Sequence, residues 1–157
     1  MEFVTDIFSR FQEKWALLAA GTAEDYNAMT ISWGGLGTLW GKPVATVYVK
    51  PIRHTWKYME TKDCFTVSFY PEEFRQDLMI MGTKSGRDGD KTALTRLTPV
   101  ALEQAVTFAQ AEATLVCRKI YWQDLIREHM PPEVAERIYT PEEPHRMYIG
   151  EVLQVLK

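Results

Sequence analysis

Two short segments carry the side chains best suited to chemistry. "KPIRHT", Lys50 to Thr55, and "GTKSGRDGDK", Gly82 to Lys91, combine cations, hydroxyls and glycines. Lysine and arginine bring charge, serine and threonine bring donors, and glycine lets backbone N–H groups approach an anion, so each segment is competent to hold a phosphate. Either segment alone is equally compatible with a solvated surface loop. A third stretch, "NAMTISWGGLGT" from Asn27 to Thr38, alternates apolar with polar residues and then becomes glycine-rich. At a period of two, Met29, Ile31 and Trp33 share one face and Thr30, Ser32 and Gly34 the other. The apolar face would pack into a core, the hydroxyl face would meet a ligand edge, and the glycines would let a flat ring lie against the backbone.

Familiar catalytic signatures are absent. A dinucleotide fingerprint beginning at Gly35 would need glycine where Trp40 stands. "GTKSG" lacks the earlier glycine of a phosphate loop, and Thr83 precedes Lys84 where that motif needs glycine. There is no GxSxG elbow and no HExxH pair, and His54, His129 and His145 are scattered. The two cysteines, Cys64 and Cys117, lie in apolar runs without metal-ligand spacing, so no metal site is expected and a reducing cytoplasm is the expected home.

The elements that must position these residues are mostly strands. In "TDIFSRFQEKWALLAAG", Ile7, Phe8, Phe11 and Trp15 fall at helical spacing after Thr5, a candidate N-cap, and the run to Gly21 then reads as a strand. "KPVATVYVKP" and "CFTVSFY" are β-rich, and the glycine segment with Trp40 and Gly41 reads as the connection into the former. Thr55 to Lys62 reads as a short helix. "PEEFRQDLMIMG" reads as a longer one, with Pro71 near its start and Gly82 as its stop. A polar loop that adds little to a core follows it. "AEATLVCRKIYW" and "HRMYIGEVLQVL" are long strands flanking a polar helical stretch at Pro131 and Pro132. Strands joined by short helices without regular βαβ alternation indicate a barrel of mixed topology.

At 157 residues the chain is expected to form a single domain spanning residues 1–157, large enough for a core without metal or disulfide support. A net charge of −3 argues against nucleic acid as a partner, and no apolar run is long enough for a transmembrane helix. Trp56, Tyr58 and Trp122 are apolar surface candidates for a partner, with internal packing the equal alternative for each.

The uninterrupted block from Asn27 to Tyr70, together with "GTKSGRDGDK" and the closing "HRMYIGEV", resembles the flavin reductase-like family of the FMN-binding split barrel, particularly its flavoredoxin-like branch. The resemblance implies a mainly β fold with short helices, a split β-barrel acting as a homodimer with FMN at or near the subunit interface. It implies that Asn27, Met29, Thr30, Ser32 and Trp33 border the isoalloxazine, that Arg53, His54 and Thr55 reach the phosphate and ribityl chain, and that Lys84, Ser85 and Lys91 complete the phosphate cradle. Where many flavin reductases carry Gly-Asp-His, this chain has Glu143, Pro144 and His145, which leaves His145 as the possible nicotinamide contact. The implied activity is NAD(P)H-dependent flavin reduction, with NADH or NADPH as reductant and no catalytic side chain, because the flavin carries the chemistry. The alternative is an FMN-binding electron carrier that serves a protein partner, or a redox-responsive binding protein. A relative holding another cofactor such as haem is a third possibility.

Overall fold

A computed structural model describes all 157 residues. Helix α1 (Ile7–Gln12) leads into strands β1 (Ala16–Gly21), β2 (Tyr26–Ile31), β3 (Gly34–Leu39) and β4 (Lys42–Val49). Helix α2 (Thr55–Thr61), β5 (Cys64–Phe69) and α3 (Arg75–Thr83) follow, then two single 3-10 turns at Gly86–Asp88 and Lys91–Leu94. A small hairpin of β6 (Pro99–Ala101) and β7 (Val106–Phe108) precedes β8 (Ala113–Asp124), α4 (Pro132–Ile138) and β9 (Arg146–Leu156).

Seven strands form one sheet in the order β2-β1-β5-β8-β9-β4-β3. Every pairing is antiparallel, so the expected mixed topology is not found. Its two edge strands, β2 and β3, are consecutive in sequence and are separated only by Ser32 and Trp33. A chain advances at most about 3.6 Å per residue, so this link forces the two edges to meet and curls the sheet into a barrel.

Alternation along the strands fills the interior. Leu18, Val47, Val49, Phe65, Val67, Phe69, Leu115 and Tyr148 belong to one buried cluster, with Phe11 of α1 closing one end. The opposite face of β1, at Leu17 and Ala19, packs with Ala28, Leu78, Met81, Val106 and Phe108 beneath α3 and the β6–β7 hairpin. Burial on both faces explains why β1 and β5 read as continuous apolar runs rather than alternating ones. Truncating Leu18 to alanine would cost about 2–5 kcal/mol, through lost transfer energy plus the cavity left behind.

Several expectations are corrected. Asp6 caps α1 in place of Thr5, its carboxylate accepting from the Ser9 N–H at 3.3 Å, and only Phe11 of the helix is buried. Trp15 lies beyond the helix with φ 67°, beneath the Arg75 guanidinium. The glycine-rich segment is strand β3 itself, and only Trp40 and Gly41 form the turn. Of its glycines only Gly34 is closely packed: a Cβ there would come within 2.9 Å of the Phe11 ring, while Gly35 and Gly37 face open space on the edge strand. Helix α3 continues through Gly82 to Thr83. Tyr58 is buried, its hydroxyl donating to Asp25 at 2.7 Å, and Trp56 is partly buried against the barrel core. Trp122 is exposed, its ring covered by the Arg146 guanidinium at 3.9 Å. The β6–β7 hairpin was not anticipated, because its strands are only three residues long. No helix is long and apolar enough to cross a membrane.

Candidate functional site

The segments singled out by their chemistry converge on one cleft, beside β2. The cleft has two continuous halves that share Met29, Thr30 and Arg53, each enclosing about 190 Å³. The first half is lined by Asn27 of β2, by Arg53, His54 and Thr55 where β4 turns into α2, and by Lys84, Ser85 and Lys91 after α3. The second holds Ser32 and Trp33 of the edge-to-edge link together with Tyr48, Lys50 and His145. Every residue expected at the site therefore lies at this cleft.

Hydrogen bonds tie the first half together. The Asn27 amide donates to the Thr55 hydroxyl at 2.7 Å, fixing β2 to the first residue of α2 and leaving the threonine proton free to point elsewhere. Arg87 donates to the Ile52 carbonyl at 2.6 Å, and Ser85 caps the following turn by accepting from the Arg87 N–H at 3.2 Å. Gly86 is required here, because a Cβ would overlap Asn27 Oδ1 and stand 2.7 Å from His54 Cδ2. Arg53 and Lys84 make no side-chain hydrogen bond or ion pair, so their charge is uncompensated.

Lys91 lines the first half, with its ammonium turned to the backbone. The polar loop does contribute to the interior: Lys91 and Thr92 are buried, and the Lys91 ammonium donates to the carbonyls of Met81 at 2.8 Å and Lys84 at 3.2 Å. It caps the C-terminus of α3, whose orphan carbonyls attract a cation. Burial, reinforced by the Arg53 charge, lowers its pKa to about 8. His54 is likewise lowered, by burial and then by Lys57, Arg87 and Lys91. Burial is the larger cause in both, and the cations that add to it leave a positive potential that an anion would relieve.

In the second half the lysine is paired, while Arg53, which borders both halves, is not. Lys50 pairs with Glu142 and donates to the Ile138 carbonyl at 3.1 Å. His145 stands edge-on to Trp33, Tyr48 and Tyr139, with ring centroids 5.5, 6.4 and 5.4 Å away. Its Nδ1 lies 2.7 Å from the Tyr139 hydroxyl. Burial, followed by Lys50 and Arg53, lowers its pKa to about 4, so the ring is neutral at physiological pH.

The hydroxyl and apolar faces of β2 do not divide as expected. Thr30 donates to the Leu78 carbonyl of α3, and a Cβ on Gly82 would sit 3.0 Å from the Thr30 Cβ, so this hydroxyl fastens the helix to the sheet. Met29 borders both halves of the cleft. Trp33 is 45% exposed at the cleft mouth and is not in the core, because β2 ends at Ile31 and the link turns the side chain outward. Sequence reasoning missed Tyr48, Lys50, Ile52, Arg87 and Tyr139. Lys50 and Ile52 stand within the quoted "KPIRHT" and Arg87 within "GTKSGRDGDK", so attention to whole segments would have found three of the five.

The arrangement can hold an anion at one end and a planar, largely uncharged group at the other. The sequence from residue 8 to 156 matches the family model described as the flavin reductase like domain. No curated protein matches the chain. Among solved structures, flavoredoxin from Methanosarcina acetivorans aligns with 17% identity and a TM-score of 0.72, over 100% of this chain and 74% of that one. An FMN-binding protein from Thermus thermophilus, solved with bound p-hydroxybenzaldehyde, aligns with 16% identity and a TM-score of 0.73, over 100% of this chain and 78% of that one. The styrene monooxygenase flavin reductase from Pseudomonas putida S12 aligns with 17% identity and a TM-score of 0.66, over 92% of this chain and 80% of that one. These likenesses establish a shared split-barrel fold, and the match over nearly the full length makes the chain a member of the flavin reductase-like domain family.

Proposed function

We propose that the protein binds FMN along this cleft and works as an NAD(P)H-dependent flavin oxidoreductase. The observation that carries the reading is the junction of two unlike halves: unpaired Arg53 and Lys84 beside a close-packed glycine turn, continuous with an aromatic pocket whose lysine is paired. FMN has the matching asymmetry, a dianionic phosphate at one end and a tricyclic ring at the other. Arg53, Lys84 and the hydroxyls of Thr55 and Ser85 would take the phosphate and ribityl chain, with His54 beside them. Asn27, Met29, Thr30, Ser32 and Trp33 would border the ring. Lys91 would act through α3, holding the end of that helix against the phosphate half.

Bound FMN supplies the redox chemistry, accepting a hydride at N5 and passing electrons onward. The residues contribute binding and orientation. Arg53 and Lys84 offset the phosphate charge, and Trp33, Tyr48 and His145 enclose the space where NADH or NADPH would lie. The proposed working form is a cytoplasmic homodimer with the flavin at or near the interface. The half-exposed Trp33 at the cleft mouth supports this, because a second copy there would shield the ring from water.

The visible spectrum of the purified protein with FMN, recorded anaerobically before and after NADH or NADPH, tests the reading. Bleaching of the bound flavin is expected. Flavin that binds and stays oxidised would reject the nicotinamide step while leaving flavin binding intact. A second reading, an FMN-holding electron carrier or redox-responsive binding protein, is favoured by Glu143 and Pro144, which replace the glycine and aspartate that precede the histidine in many flavin reductases. Stopped-flow mixing separates the two: reduction only by a protein donor identifies the carrier.

A further inference from the structure

We propose that Tyr139 is a positioning residue: its hydroxyl holds His145 in the tautomer with the ring proton on Nε2, so that the imidazole presents an N–H to a carbonyl oxygen in the second half of the cleft. The identity of that carbonyl, a nicotinamide carboxamide, rests on the functional reading above. The tautomer does not.

The 2.7 Å contact between the Tyr139 hydroxyl and His145 Nδ1 allows two arrangements. In one the phenol donates to Nδ1. In the other Nδ1 carries the proton and donates to the phenol oxygen, which leaves the phenol's own proton in need of an acceptor. Tyr139 is buried and its hydroxyl has no other acceptor, so the second arrangement carries the penalty of an unmet buried donor. Burial raises the phenol pKa and keeps it protonated. The hydroxyl thus gives its proton to the ring. Nδ1 is the acceptor, and the ring proton belongs to Nε2.

Nε2 has no protein partner. Since no buried side-chain nitrogen or oxygen in the protein lacks a hydrogen bond, Nε2 is open to the cleft that its ring lines. The edge contacts with Trp33, Tyr48 and Tyr139 hold the ring plane. The titratable and charged groups around it are Tyr48 and Lys50 at the end of β4, Arg53 beyond it, and Tyr139 and Glu142 in the segment leading to β9. The two cations oppose imidazolium formation, against a weaker pull from Glu142. Lys50 is pinned to Ile138 and Glu142, so the segment that supplies Tyr139 also fixes a charge that adds to burial in keeping the ring neutral.

A long-range proton–nitrogen spectrum of the labelled protein at pH 7 tests the tautomer, with His145 assigned by its loss in His145→Asn. The expected signature is a pyrrole-type Nε2 and a pyridine-type Nδ1, giving way to a mixture in Tyr139→Phe. The KM for reduced nicotinamide should also rise about fivefold in Tyr139→Phe, the effect of a loosened hydrogen bond. A circular-dichroism spectrum matching that of the native protein separates this from misfolding. A proton on Nδ1 in the native protein, the same tautomer in Tyr139→Phe, or an unchanged KM beside an altered tautomer would each overturn the proposal. If the tautomer shifts as expected and no form oxidises NAD(P)H, the nicotinamide reading fails and the spectrum still supports the positioning role of Tyr139.

Discussion

The two halves of the cleft differ in how their lysines are held. In the first half Arg53 and Lys84 make no ion pair, and burial, with neighbouring cations adding to it, lowers the basicity of His54 and Lys91. Around His145 the one lysine is paired, and the imidazole is neutral. Both halves hang on β2, and Met29, Thr30 and Arg53 line each of them. The difference teaches how one strand can serve a charged group and an uncharged one: the strand itself contributes little charge, and the segments arriving from β4, α3 and the approach to β9 set the field on either side.

The largest break in this contrast is expected from Arg53→Glu. Replacing an unpaired cation with an anion beside a phosphate should weaken FMN binding by about a hundredfold or more, the scale of a charge-assisted contact turned repulsive. Titration of flavin fluorescence measures it, and retained affinity would remove Arg53 from the site. Gly86→Ala comes next. The added Cβ would collide with Asn27 and His54, displacing the hydrogen bond that joins β2 to α2. FMN affinity should fall about tenfold, on the scale of one lost buried hydrogen bond. The environment of His145 in the other half should remain unchanged by NMR.

The two halves also differ in how much of them the sequence reveals. Lys50 to Thr55 and Gly82 to Lys91 are contiguous, so composition alone exposes their affinity for anions. The His145 half is assembled from the Ser32–Trp33 link, the end of β4 and the segment from Tyr139, which are separated by long stretches of chain and brought together only by barrel closure. Tyr139 offers no local signal, since its role lies in one contact six residues on. The other barrel strands were legible because their burial alternates or runs continuously, whereas the glycine-rich edge strand β3, nowhere fully buried, reads as a connection. The β6–β7 hairpin was too short for a period to emerge, and the placement of Lys91 against carbonyls of α3 depends on where that helix ends, which Gly82 masked.

A smaller effect should sharpen the contrast through pH. Lys91 holds its proton only below about pH 8 in the fold, against an ordinary lysine value of 10.5. Raising the pH through 8 should therefore remove positive charge from the phosphate half, and FMN affinity should drop severalfold between pH 7 and 9. Stability of the flavin-free protein should move the other way. From about pH 8 to 10.5 the unfolded chain binds more protons than the folded one, so stability rises with pH. Lys91→Met should abolish both trends, and a pH-independent affinity in the native protein would show that Lys91 does not contribute to the field.

The smallest expected effect belongs to the other half and lies on the acid side. His145 has a folded pKa of about 4 against an ordinary 6.5, so between those values the unfolded state carries the extra proton. Stability should fall as pH is lowered from 6.5 toward 4, and His145→Asn should flatten that slope. Because the ring is only partly buried, solvent screening reduces the effect to about 1 kcal/mol. Urea melts of the native protein and the variant across this range measure it. The decisive comparison is with Lys50→Met, which removes the first charge opposing imidazolium. If Lys50→Met flattens the acid slope as His145→Asn does, the paired lysine sets the neutrality of the ring. If the slope is unaltered, burial and Arg53 set it, and the paired lysine does not govern the neutrality of the ring.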